Sequence, residues 1–228
     1  MPIRYARPAA CPVDAGAKRR GYGRRMTEHP EFLRLDEVDV QISFGSHPDA
    51  PPDEVFSISI GNPKINEGEP WDDAYFLRAL TPILYVAAGQ HPEPYVLDVK
   101  KSHFSWGADG SGATILMYIA NHVTDGAIGA ATVLAIEKAF RTLGGLSGHY
   151  DQVISREEAI ERAKWRVSAA YKSVDSETLI CVGEDQQRST NVWVIGLDDS
   201  RGNHYRVEIS MLEGLPLTTR ISRTAGGT

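Results

Sequence analysis

The residues in this 228-residue chain whose types and spacing could do chemistry fall into three groups. The first is the run Gly107, Gly110, Ser111 and Gly112, which the hydropathy pattern places after a strand and before an apolar helix. Backbone amides in such a turn, backed by a helix dipole, can cradle a phosphate. The spacing matches neither G-x-x-x-x-G-K-S/T nor G-x-G-x-x-G, so the expectation divides between a flexible turn and a site for a phosphorylated small molecule. The second group is His122 and Asp125, three residues apart and therefore on one face of a helix. They read either as an acid–base pair or as a polar pair that positions two core helices. The third is Trp71, Trp106 and Trp165, candidates for an interface because Trp dominates binding hot spots. Trp165 stands off the apolar stripe of its helix and is the one most expected at a surface or subdomain contact.

Other chemistries find less support. The seven histidines form no i, i+4 pair with a third carboxylate ligand, so no metal site is expected. Cys11 and Cys181 are the two cysteines, which excludes a disulfide framework, and Cys181 sits in a strand pattern as a small hydrophobe. No G-x-S-x-G or Cys–His signature is present, Asp72–Asp73 and Asp198–Asp199 are adjacent rather than facing, and no cofactor is implied. The expected activity is consequently non-enzymatic.

These residues are carried by a chain with 42% hydrophobic content, enough for a sizeable core. Residues 1–25 hold seven Lys or Arg against one Asp, a net +6, which leaves −12 on residues 26–228. The acidic body excludes a general nucleic-acid binder. Residues 1–25 lack an apolar period and an h-region, so a secretory signal is not expected. They read as a disordered arm or as a leader from a misplaced start ahead of Met26-Thr27-Glu28, and the protein as cytoplasmic.

Strict alternation at Val38–Phe44 and the run Val55–Ile60 predict a hairpin. A helix over Trp71–Leu80, interrupted at Pro82 and ending by Ala88, precedes a strand at Tyr95–Trp106. The apolar stretch Ala113–Phe140 predicts two helices, near Ser111–Thr124 and Ala127–Leu143. Asn121, His122 and Asp125 argue against a membrane span, although a membrane-active protein is the third reading. Its small residues Ala127, Ala131 and Ala135 suit core packing or a seam between copies. Gly144–Gly148 marks a linker. Ser155-Arg156-Glu157-Glu158 has capping-box form and opens a helix to Tyr171. Strands follow at Thr178–Gly183, Asn191–Leu197, His204–Met211 and Leu217–Ser222, the second and third joined by the turn Asp198–Asn203. The fold class is α+β, with two small subdomains, each an antiparallel sheet packed against helices: 26–143 and 151–228, with 144–150 between them.

A capped helix followed by antiparallel strands from Ser155 onward resembles the PepSY-like and cystatin-like α+β modules. The stretch from Tyr95 through the Gly-rich loop into Ala113–Phe140 resembles the small constant components that accompany effectors in actinobacterial conflict systems. Both resemblances imply a non-catalytic adaptor or inhibitory module whose partner is another protein or a second copy. Neither assigns a role to a particular residue.

Overall fold

Alternation of apolar and polar residues does what it should in the first two strands. In β1 (Glu37–Gly45), Val38, Val40, Ile42 and Phe44 are buried on one face while Asp39, Gln41 and Ser43 take the other. β2 (Glu54–Gly61) pairs with it antiparallel, Val40 opposite Ile58 and Ile42 opposite Phe56, which confirms the expected hairpin. The computed structural model describes residues 37–61, 73–86, 95–105, 109–120, 128–146, 154–187, 192–215 and 217–226, all within the unit Phe32–Thr228.

The remaining elements are α1 (Asp73–Val86), β3 (Tyr95–Ser105), β4 (Asp109–Ala120), α2 (Ala130–Gly144), α3 (Arg156–Ala170), a 3-10 turn at Ser176–Thr178, β5 (Ile180–Gln187), β6 (Val192–Asp198), β7 (His204–Ile209) and β8 (Thr218–Thr224). The fold is α+β, as expected. All eight strands form one sheet in the order β3-β4-β1-β2-β8-β7-β6-β5. The two halves on either side of Gly144–Gly148 are therefore joined, through β2 and β8, in a shared sheet. Every neighbouring pair is antiparallel except β1 and β4, which run parallel.

The expected helix over Ser111–Thr124 is corrected: its first part is the strand β4. Ala113, Ile115, Met117 and Ile119 are buried, and Leu116 and Tyr118 on the other face are half-buried, so both faces carry apolar side chains and the period-two signal is lost. The second helix is present as α2. α1 is continuous through Pro82 rather than restarting there.

The helices cover opposite faces of the sheet. Phe76, Leu80, Ile83 and Leu84 of α1 and Ile136, Ala139, Phe140 and Leu143 of α2 pack with Val40, Ile58, Ile115 and their neighbours, on one face of β4-β1-β2. On the opposite face, Ala159, Ala163 and Val167 of α3 pack with Val55 of β2 and with Ile221, Val207 and Ile195 of β8, β7 and β6. Val55 and Phe56 are adjacent in β2 and enter different clusters, so β2 is where the core changes sides. Among the described residues, no helix packs on the α3 face of β4 and β3 or on the α1–α2 face of β6 and β5.

Candidate functional site

α3 begins at Ser155, whose Oγ accepts from the Glu158 amide at 3.2 Å. The other half of the expected capping box does not form; Glu158 Oε1 instead accepts from Arg162 Nη2 at 2.6 Å. Four residues on, Arg166 occupies a position on the buried stripe, between Ala163 and Val167, and is only 8% exposed. A cation taken out of water there requires a partner. Its Nη2 donates to Asp39 Oδ1 on β1 at 3.1 Å and to Ser59 Oγ on β2, and Ser59 Oγ donates to Asp39 Oδ1 at 2.5 Å. Asp39 and Ser59 are directly opposed in the β1–β2 ladder, so both strands contribute to one anchor. Arg166 Nε is buried with no acceptor among the described residues.

The anchored guanidinium lies 4.6 Å from the centroid of the Trp165 ring, within cation–π range. Trp165 itself is 52% exposed. It is thus an aromatic side chain at the surface resting on a cation that the sheet holds in place. From Asp39, the partner of Arg166, a strip continues across the sheet: register puts Asp39, Gln41 and Ser43 of β1 next to Thr114, Leu116 and Tyr118 of β4, and these next to Lys100, Asp98 and Val96 of β3. Exposure rises outward along the strip, from buried Ser43 through half-buried Leu116 to exposed Val96. Neither Leu116 nor Val96 joins a hydrophobic cluster. Glu37, at the head of β1, has its carboxyl pushed up by burial and by Asp39, against the opposing pull of Arg166 and Arg162.

Comparison of the chain with family models, curated proteins and solved structures gives no match. The site must be judged on its own geometry.

Three other polar groupings lie elsewhere. On the α1–α2 face, Arg220 of β8 donates to buried Glu54 of β2 at 3.1 Å and lies over Phe56, its Cζ 5.4 Å from the ring centroid. Burial pushes the Glu54 carboxyl up, more strongly than Arg220 pulls it down. Further out on that face, His204 Nδ1 lies 2.7 Å from Asp198 Oδ1, in the open. At the β6–β7 turn, Asp199 accepts from the Arg201 and Asn203 amides at 2.8 and 2.9 Å and from Tyr205 Oη at 2.9 Å. Burial works to raise the Asp199 carboxyl, but these bonds and one from the Asn203 side chain hold it below its usual range.

The residues singled out from sequence fare differently. Trp165 is exposed, where its place off the stripe puts it. Gly110, Ser111 and Gly112 lie within β4, opposite Phe104, His103 and Ser102 of β3, so they belong to a β-hairpin and no helix dipole follows them. That correction removes the physical basis for phosphate binding there. Gly107, His122, Asp125, Trp71 and Trp106 lie outside the described residues. Cys181 is half-buried and free, and no group of His, Cys, Asp and Glu among the described residues could hold a metal ion. No described helix is long and apolar enough to cross a membrane. Sequence reasoning missed Arg166 and its partners. The available signal was a charged residue at a stripe position of α3, because a charge facing a core must be answered from another element.

Proposed function

We propose that the chain is a non-enzymatic, cytoplasmic protein-interaction module that binds another folded protein through Trp165 of α3 and the strip of β1, β4 and β3 that continues from Asp39. One observation carries the reading: an exposed Trp165 stacked on an Arg166 that Asp39 and Ser59 immobilise. Trp and Arg are the side chains most enriched at hot spots, and a preordered anchor loses less entropy on binding. The strip mixes half-buried Leu116 and Tyr118 with half-buried Gln41 and Thr114 and exposed Asp98 and Lys100. That mixture of apolar centre and polar rim fits a reversible protein interface and not a lipid surface. The reading also agrees with the lack of a catalytic motif in the sequence.

The test places a photo-crosslinking residue at position 165 and, as a control, at Leu134, which is 64% exposed on α2. A protein captured from 165 alone is purified and titrated against wild type and Trp165→Ala. We expect Trp165→Ala to weaken binding by about tenfold or more while the melting temperature stays put. Equal affinity of the two forms contradicts the assignment. A specific turnover reaction lost on changing Ser111, His122 or Asp125 contradicts the non-enzymatic reading altogether.

A further inference from the structure

On the strip and on the flank of α3 above it, the described charges are answered within the chain with one exception. Arg166 is held by Asp39, Arg162 by Glu158 and, further out, Lys100 by Asp98. Glu37, at the head of β1, makes no hydrogen bond or ion pair among the described residues. Strand alternation puts it on the same face as Asp39, the face that α3 covers.

The register explains why Glu37 is left without a partner. It stands opposite Gly61 of β2 on one side and Gly112 of β4 on the other, so neither directly opposed position offers its carboxylate a side-chain donor. From the helix, Arg162 and Arg166 act on it through space, but each is bonded to another carboxylate. Their i, i+3 and i, i+4 spacing sets Arg162, Trp165 and Arg166 on one flank of α3. Partial burial and the charge of Asp39 penalise the lone carboxylate. A cation brought from outside the chain relieves that penalty.

From this arrangement we infer that the folded partner presents a basic side chain, Lys or Arg, to Glu37, which thereby sets the charge preference of the Trp165 surface. The inference rests on the proposed role of Trp165 and adds the chemistry of what docks there. Residues 26–228 carry a net −12, so a basic partner is also attracted at long range. Lys and Arg lay their apolar stems along aromatic surface while the charged head reaches an anion. Trp165, 52% exposed and one helical turn from Arg162, supplies such a surface. A rim charge of this kind decides mainly which partner is accepted and how fast it arrives, whereas a buried aromatic contributes most of the affinity.

The experiment titrates three blocked tripeptides, centred on Lys, on Arg and on Glu, into the full chain and follows the Trp165 indole N–H by NMR, its resonance assigned by loss in Trp165→Phe. The Lys and Arg peptides are expected to shift that resonance saturably, and the Glu peptide to leave it in place. Glu37→Gln should weaken the basic peptides about fivefold, the upper end for an exposed ion pair. Glu213→Gln, which removes an exposed carboxylate elsewhere, should leave them unchanged. Melting temperatures check that every form is folded. Equal affinity in wild type and Glu37→Gln, an equal loss in Glu213→Gln, a Glu peptide that binds as tightly as the basic ones, or no shift with any peptide each overturns the inference. Crosslinking from position 165 decides the role of Trp165 separately: a captured protein that binds Trp165→Ala weakly and Glu37→Gln normally removes Glu37 alone.

Discussion

Arg166 illustrates how one side chain can tie distant segments and prepare a surface at once. It stands 127 residues from Asp39 in sequence, yet its guanidinium is shared by β1 and β2 and stacks under Trp165. Removing one partner of a buried ion pair leaves the other uncompensated, which costs about 3–5 kcal/mol. Asp39→Ala is accordingly expected to lower unfolding free energy in urea by that amount, and Asp39→Ala/Arg166→Met to recover much of it. A loss below about 1 kcal/mol, the range of exposed pairs, would show that the anchor is not buried in the sense argued. Glu54 gives a second test. Its folded pKa is raised above the ordinary 4.5, so the native state binds its proton more tightly than the unfolded chain does. Stability from this group is then greatest below that value and falls as pH rises through the folded pKa. Relative to Glu54→Gln, wild type should lose stability as pH rises from below 4.5 through the raised folded value. The opposite slope would mean that Arg220 outweighs burial. At this scale the sequence showed Trp165, by its position off a stripe, and hid the Arg166 network, whose partners lie on strands that a single chain reading cannot bring together.

Among the elements, those with a clean period were legible: β1, β2, α3 and the β6–β7 hairpin all lie where alternation, stripe and turn chemistry put them. β4 was not, because a central strand buried on one face and half-buried on the other reads as a continuous apolar run, indistinguishable by period from a buried helix. β7 ends at Ile209, short of the alternating pattern that continues to Met211, because Ser210 adopts a left-handed φ of 59° and its amide turns to the Thr218 carbonyl. The β6–β7 turn depends on Asp199, whose carboxylate holds two backbone amides, the Asn203 side chain and the Tyr205 hydroxyl. Burial and that bond to Asp199 push the Tyr205 hydroxyl up to about 12, so it remains a donor at neutral pH. Asp199→Ala should cost about 2–3 kcal/mol, as expected when hydrogen bonds to a charged group are lost. Because the Asp199 carboxyl is held low, wild type's advantage over this variant should persist at neutral pH and vanish as pH falls through the folded value. A substitution that leaves the urea midpoint unchanged would remove Asp199 from the account of the turn.

In the whole molecule the fold class was legible and the single sheet was not. A Gly-rich break between α2 and α3 reads as a boundary between two sheets, whereas β8 returns from the C-terminal end to pair with β2. That return leaves the described helices on opposite faces of the sheet's two ends, with none of them across the strip on which the proposed function rests. Burial of a partner against that strip is most directly measured by amide hydrogen exchange of the full chain alone and in complex with the protein crosslinked through position 165. The account predicts slowed exchange confined to the exposed turns of α3 around Trp165 and to β4 and β3, with α1, α2 and β6 unchanged. Protection centred on α1 or α2, with no change around Trp165, would contradict it.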